Sequence, residues 1–219
     1  MSWKNAFRTA LPPALVALAV TLLRLAGEIR GWSETWFSRA TGGLVPASAV
    51  SWVVGITWLA LPFGAWFAWR LARAGVAKPG GGRALAIAAI AVLLLYGGGR
   101  LVSVVRIGFP AFLFAIWTVA VVAAAVAWRA WPALGRVLLA YGLLSRAVVA
   151  VVMFLAMRGQ WGTHYDYADM PGVREIPLGA AYLLFAFLPQ LVFWVGYTIV
   201  LGMVAGALVV AARGRGGVA

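Results

Sequence analysis

The chain has 219 residues, of which 64% are hydrophobic and 11% are charged, and its formal net charge is +13. Soluble globular domains are roughly 45–50% apolar and about 25% charged, so this composition excludes an ordinary soluble domain. The chain has no cysteine, which excludes disulfides, thiolate catalysis and zinc or iron–sulfur centres held by cysteine.

Apolar runs near the length of a membrane span recur from Leu11 to Ala212. A helix rising ~1.5 Å per residue needs about 20 apolar residues to cross a hydrocarbon core of ~30 Å. We therefore predict an all-α fold, a single integral membrane domain over residues 1–219 built as a polytopic helix bundle. The predicted spans are six: Leu11–Ile29, Pro46–Trp69, Ala84–Val105, Pro110–Trp128, Ala133–Met157 and Leu178–Ala212.

The first and last predicted spans each carry an unusual feature. Lys4 and Arg8 precede the apolar stretch Leu11–Leu23, as in a secretory signal, but Arg24 follows directly and no small-residue cleavage site is evident. We expect a retained first helix. The last span is longer than a membrane requires and contains Pro189, which predicts a kink, a tilt or an interfacial start.

Basic residues are concentrated in alternate connections between the spans. One side carries ten basic residues and no acid: Lys4, Arg8, Arg70, Arg73, Lys78, Arg83, Arg129, Arg136, Arg213 and Arg215. The other side carries all five acids: Glu28, Glu34, Asp166, Asp169 and Glu175. Cytoplasmic loops are enriched in lysine and arginine, so both termini are predicted to be cytoplasmic. We expect a multi-pass protein of a cell membrane, such as a bacterial inner membrane.

The positive charge indicates membrane orientation and contacts with membrane lipids. Nucleic-acid binding usually needs basic residues clustered on a polar, soluble module, and this chain contains no such module. Nucleic acid is therefore not an expected partner, and the basic residues that flank the apolar runs are explained by orientation and by anionic lipid.

Three arginines lie at least a full helical turn inside the predicted spans, where an ionised group costs between ~3 and well over 10 kcal/mol. Arg146 lies near the middle of its span, whereas Arg24 and Arg100 lie far along theirs. The only acid within the spans is Glu28, four residues after Arg24 and so on the same helix face. The polar residues that could satisfy the remaining arginines are Tyr96, Ser103, Tyr141, Ser145, Gln190 and Tyr197.

This imbalance predicts an outward-facing polar pocket for a carboxylate or phosphate. The expected ligand-binding residues are Arg24, Glu28, Tyr96, Arg100, Arg146 and Gln190. The alternative is structural: Arg24 and Arg100 reach the headgroups while Arg146 donates to carbonyl groups in a buried network.

The segment "GQWGTHYDYADMPG", Gly159–Gly172, joins the last two predicted spans and contains the only histidine of the chain. Metal binding and acid–base catalysis by His164 with Asp166 are both possible, but metal sites usually need three or four converging ligands, so no metal or cofactor is predicted. We expect a solvated loop with acids facing water, which could close over the pocket as a lid. The lid residues are Trp161, His164, Tyr165, Asp166 and Asp169.

Three classes of function remain open. The unpaired arginines favour a small transporter or a binder of an anionic small molecule or lipid headgroup. The small size of the chain favours an accessory or assembly subunit with a protein partner or a second copy of itself. A membrane enzyme that uses His164 at the outer interface is the third class and the least favoured, so the sequence leans against enzymatic activity without excluding it.

Overall fold

The computed structural model describes residues 1–40, 51–167, 170 and 173–215. Helices of α, 3₁₀ and π type connected by turns make up these ranges, which contain no strand. Five helices in these ranges are long and apolar enough to cross a membrane: Trp3–Ile29, Gly81–Val104, Phe109–Trp128, Pro132–Gly159 and Leu178–Arg213. The predicted all-α class is confirmed for the described residues, and the five long apolar helices are compatible with a multi-pass membrane protein.

Local sequence signals account for the ends of several helices. The α-helices α1 to α5 are Trp3–Ile29, Ala60–Arg73, Gly81–Val104, Phe109–Trp128 and Pro132–Gly159. Helix α1 starts earlier than predicted, behind Ser2, whose side chain accepts a hydrogen bond from the amide of Asn5. Helices α4 and α5 each have a proline in the first two positions, where the missing N–H has no intrahelical partner to lose.

The second predicted span, Pro46–Trp69, does not form one continuous helix in the residues that the structure describes, so this prediction is wrong there. A 3₁₀ turn at Ser51–Val54 is followed by irregular backbone, and α2 begins only at Ala60 and has 14 residues. Pro62 lies in the first turn of α2, and a proline in a helix interior removes a backbone hydrogen bond and clashes with the preceding turn. The start of the prediction, residues 46–50, lies outside the described residues.

The last span changes its hydrogen-bonding pattern part-way along. It consists of α6 (Leu178–Ala181), two π-helical stretches (Tyr182–Phe187 and Pro189–Trp194) and α7 (Val195–Arg215). Pro189 opens the second π-helical stretch. The irregularity expected at this proline therefore takes the form of a widened helix, an arrangement that occurs often at functional sites.

Helix α5 and the last span form the centre of the bundle. In their most apolar stretches both are 61% buried, compared with 17% for α3 and α4. Helix α1 packs against α5 through alanines at helical spacing, Ala6, Ala10 and Ala17, all without exposure. Small residues allow such close approach of helices where no hydrophobic effect drives association. Helices α3 and α4 are therefore the least buried of the long helices.

Glycines bring α2, α5 and the last span into close contact. A Cβ on Gly64 would lie 2.5 Å from the backbone of Gly202, and Gly202 and Gly206 also pack against leucines of α5. The Gly-xxx-Gly spacing "GMVAG" thus serves packing within the chain. In α3 the helix continues through Gly97–Gly99. Only Gly98 has a close neighbour, Val119, so these glycines do not unwind the helix.

Contacts at the helix ends define the two ends of the bundle. At one end, called here the terminal end, Trp3 packs near Trp128 with 6.4 Å between ring centroids, and Arg136 reaches the carbonyl of Met1. At the other end, called the loop end, the last turn of α1 meets the turn that follows α5. Helices α1 and α5 therefore run in the same direction.

Candidate functional site

A buried carboxylate fastens the loop end of α1 to the turn after α5. Glu28 has no exposed surface. Its Oε1 accepts hydrogen bonds from Arg24 Nε at 2.8 Å and lies 2.6 Å from His164 Nδ1, while its Oε2 accepts from the backbone amide of His164 at 3.0 Å. The Arg24–Glu28 contact predicted from the spacing of four residues is confirmed. The histidine pairs with Glu28 of α1, not with the neighbouring Asp166.

Backbone geometry at the end of α1 positions Glu28. Gly31 has a φ of +64°, and the amide of Trp32 donates to the carbonyl of Gly27, as in a Schellman motif. Arg39 folds back, and its Nε and Nη2 donate to the Glu28 carbonyl at 2.9 and 2.6 Å. A cation at this place also complements the negative end of the helix dipole.

The turn after α5 is built around Asp166. Helix α5 ends at Gly159 and is capped by Gln160, which has a left-handed φ of 48°. Asp166 then accepts hydrogen bonds from the amides of Gly162 and Thr163, at 2.8 and 3.1 Å. Its exposure is only 5%. The expectation that this acid faces water is wrong, because its carboxylate satisfies two backbone amides inside the turn.

Aromatic rings cover this turn. Tyr165 is buried, its ring centroid lies 3.8 Å from that of His164, and its hydroxyl donates to the Thr21 carbonyl of α1 at 3.3 Å. Burial raises the pKa of Tyr165, against the opposing positive charges of Arg24 and Arg146. Burial likewise raises the pKa of Tyr167 to about 12.

Burial is also the main influence on the pKa of His164, which lies below its ordinary value. The charge of Arg24 lowers this pKa further, while Glu28 and Asp166 act in the opposite direction. Its Nδ1 lies against the carboxylate, where the neutral imidazole donates a hydrogen bond and the protonated one forms an ion pair.

Arg146 lies in the middle of α5, about 20 Å from either end of the helix at ~1.5 Å per residue. Its exposure is 4%. Its guanidinium donates to Gln190 Oε1 at 3.4 Å and to Thr57 Oγ1 at 3.3 Å, and it lies 4.9 Å from the ring centroid of Trp194. Its Nε has no hydrogen-bond partner among the described residues. No described carboxylate pairs with it.

The irregular parts of the fold supply the neighbours of Arg146. Thr57 belongs to the non-helical backbone that precedes α2, and Gln190 and Trp194 belong to the second π-helical stretch. In a π-helix the backbone hydrogen bonds join residues five apart, and four residues make slightly less than one turn. Gln190 and Trp194, which are four residues apart, therefore project from similar sides of the helix. The break before α2 and the widened helix thus meet at Arg146, the most buried arginine among the described residues.

The other predicted pocket residues lie apart from this centre. Arg100 is exposed on α3, and its guanidinium has no hydrogen-bond partner among the described residues. Tyr96 is also exposed, and its hydroxyl lies 3.0 Å from that of Tyr197. The structure thus brings Gln190 to Arg146 and Glu28 to Arg24, whereas Arg100 and Tyr96 are not brought to either pair. In the predicted lid, Trp161 is largely exposed and Asp169 lies outside the described residues.

Sequence reasoning missed four residues of these sites: Thr21, Arg39, Thr57 and Trp194. Trp194 follows Gln190 by four residues, which was a usable signal for a shared helix face. Thr57 lies in a segment that the sequence predicts to be helical, but α2 begins only at Ala60. Its contact with Arg146 depends on this later start of the helix. Nothing in the sequence singled out Arg39 or Thr21.

Among the described residues no group of three or more histidine or acidic side chains is arranged to hold a metal ion. An apolar cavity of about 240 Å³ lies between α4 and the π-helical stretch, lined by Phe114, Trp117, Thr118, Val121 and Val192. It includes none of the arginines. Comparison of the chain with protein-family models, curated proteins and solved structures finds no match.

Proposed function

We propose that this membrane protein binds an oxyanion group, a carboxylate or a phosphate, at Arg146, as a small transporter or as a binder of anionic lipid. The observation that carries the proposal is the buried guanidinium with an unpartnered Nε and no carboxylate beside it in the described part of the chain. A buried charge is usually paired, because an uncompensated one is costly.

The protein neighbours satisfy little of the guanidinium's hydrogen-bonding capacity. Arginine has five N–H donors, and here two of them make contacts of 3.3 and 3.4 Å. N–H···O hydrogen bonds usually measure about 2.7–3.2 Å, so both contacts are long. An oxyanion has the geometry to accept two parallel N–H bonds from a guanidinium, and this makes it the chemical group that fits best.

The backbone around Arg146 also supports ligand binding. Non-helical backbone at membrane depth is tolerated where it is enclosed by protein or lines a cavity, and broken helices form the binding sites of many transporters. Here the broken segment before α2 and the π-helical stretch both contact Arg146.

The orientation of the protein is part of the same proposal. The terminal end carries the basic connections, and the loop end carries Glu28 and Asp166. This charge asymmetry supports cytoplasmic termini and an outward-facing loop end. A ligand that approached Arg146 from the loop end would then arrive from outside the cell.

The test compares Arg146→Gln with Arg100→Gln, a matched loss of one charge at an exposed arginine. Native mass spectrometry measures retained anionic lipid. Thermal unfolding in zwitterionic detergent, with added phosphate or acetate, measures binding of free anions. We expect Arg146→Gln to lose the retained lipid or the anion-dependent rise in melting temperature, and Arg100→Gln to keep both. Signal in the lipid arm alone identifies a headgroup, and signal in the phosphate or acetate arm identifies a free anion.

A folded Arg146→Gln protein that retains lipid and responds to anions as the unsubstituted protein does would overturn the proposal. A lower melting temperature with unchanged binding would do the same and would assign Arg146 to a structural network. Either outcome favours the accessory-subunit interpretation, which native mass spectrometry tests directly through the mass of any bound protein partner or second copy.

A further inference from the structure

A line of aromatic side chains connects the buried Arg146 with the surface of the bundle. The guanidinium carbon of Arg146 lies 4.9 Å from the ring centroid of Trp194, and the Trp194 ring lies 5.5 Å from that of Tyr197. The hydroxyl of Tyr197 then lies 3.0 Å from the hydroxyl of Tyr96 on α3. Tyr96 does not reach Arg146 itself, but it is connected to Arg146 through two rings.

The exposure of these side chains increases along the line. Arg146 is 4% exposed, Trp194 and Tyr197 are half-buried, and Tyr96 is 52% exposed. Trp194 contacts the guanidinium and also has exposed surface of its own. Along this line the buried guanidinium is therefore only one ring away from the outside of the bundle.

The line ends at membrane depth. Tyr96 lies eight residues before the end of α3 at Val104, which is about 12 Å at ~1.5 Å per residue. Tyrosines of membrane proteins are enriched at the interfaces with water, where the hydroxyl is hydrated. This one lies deeper, on a helix whose most apolar stretch is only 17% buried. A side chain exposed there contacts lipid.

The pair of tyrosine hydroxyls has a donor to spare. One hydroxyl donates to the other, so the second O–H remains without an acceptor among the described residues. A polar group that faces hydrocarbon without a partner is costly. An oxyanion that passed between Tyr96 and Tyr197 would accept this hydrogen bond, which makes the pair a favourable place for an anionic headgroup.

We infer that an amphiphile with a carboxylate or phosphate headgroup reaches Arg146 sideways from the membrane, between Tyr96 of α3 and Tyr197 of α7. The inference rests on the proposed function, because it names the class of ligand and the entry side of the Arg146 site. The hydroxyl pair donates to the entering headgroup, and displacement of the Trp194 ring opens the last step. The hydrocarbon chain stays in the lipid throughout, so the site takes a membrane-dissolved amphiphile and not a free anion.

The first experiment separates these two classes of ligand. Phosphatidylglycerol or glycerol phosphate, which has the same phosphate without the hydrocarbon chains, is added to the protein in zwitterionic detergent. We expect phosphatidylglycerol to raise the melting temperature by several degrees in the unsubstituted protein but not in Arg146→Gln, and glycerol phosphate to have no effect. An equal rise with glycerol phosphate would overturn lateral entry and support the proposed function. No rise with either probe would overturn both.

The second experiment closes the proposed entry. The chain has no cysteine, so Tyr96→Cys/Tyr197→Cys can be bridged by a bifunctional methanethiosulfonate where the two rings lie 6.3 Å apart. Phe154→Cys/Tyr182→Cys is the matched control, because those rings lie 5.1 Å apart in a contact outside the line. Native mass spectrometry follows the exchange of retained phosphatidylglycerol for its deuterated form.

Bridging at Tyr96 and Tyr197 should slow the exchange severalfold, and reduction of the bridge should restore it. The control bridge should leave the rate unchanged. An unchanged rate after the first bridge, or equal slowing by both bridges, would overturn lateral entry. The proposed function fails separately, if the unsubstituted protein retains no more phosphatidylglycerol than Arg146→Gln does.

A milder pair of variants tests the hydroxyls without thiols. Tyr96→Phe/Tyr197→Phe keeps both rings and removes the spare donor, so the exchange should slow severalfold. Tyr182→Phe removes a hydroxyl from the same span outside the line and should exchange at the rate of the unsubstituted protein. Equal rates in the double variant and the unsubstituted protein would overturn the part assigned to the hydroxyl pair.

Discussion

The carboxylate of Asp166 should contribute measurably to the stability of the folded protein, and Asp166→Ala tests this. The substitution removes the acceptor for the amides of Gly162 and Thr163, at 2.8 and 3.1 Å. Hydrogen bonds to charged groups contribute roughly 1.5–3 kcal/mol each, and a buried N–H left unpaired costs roughly 1–3 kcal/mol. Gly162 is half-buried, so water can reach part of the vacated site. We therefore expect a loss of about 2–3 kcal/mol.

The assay is thermal unfolding of the purified protein in detergent. At about 2–4 °C per kcal/mol for a chain of this size, Asp166→Ala should lower the melting temperature by roughly 4–12 °C. Asp166→Asn keeps one acceptor oxygen and should lose about half as much. Glu175→Ala is the matched control, because that acid is exposed in the next 3₁₀ turn and should change stability by less than about 0.5 kcal/mol.

An Asp166→Ala protein as stable as the Glu175→Ala control would refute this reasoning. It would mean that water replaces the carboxylate as acceptor for the two amides with no loss of stability, as expected for the solvated loop that the sequence suggests. Equal losses in Asp166→Ala and Asp166→Asn would instead show that the negative charge, and not the pair of acceptors, holds the turn.

Two further predictions concern packing and orientation. Gly64→Val should destabilise the bundle by more than about 3 kcal/mol, because even a Cβ at this position would lie 2.5 Å from the Gly202 backbone. Gly97→Ala, in open space on α3, should stabilise the protein by about 0.5–1 kcal/mol. Thermal unfolding measures both changes, and a Gly64→Val protein of unchanged stability would contradict the observed packing. A reporter active only outside the cytoplasm should give signal when fused into the Gly159–Gly172 loop and none at the C-terminus, and the reverse pattern would invert the proposed orientation.

The sequence by itself determined the properties that depend on residues close together along the chain. Apolar length predicted the all-α membrane class and five of the observed helices, because crossing a hydrocarbon core depends on composition over about 20 residues. The Arg24–Glu28 pair follows from its spacing of four residues on one helix. The central position of Arg146 in α5 follows from counting residues along the helix.

Only the tertiary structure decided which faces of the helices meet. His164 pairs with Glu28, 136 positions away along the chain, and no local spacing rule distinguishes that acid from the adjacent Asp166. Asp166 turned inward because two backbone amides needed an acceptor, which is a property of the folded turn. Thr57 and Trp194 reached Arg146 through a delayed helix start and a π-helical stretch. Each of these contacts depends on packing between distant segments, and sequence periodicity reports only which face of a segment is apolar.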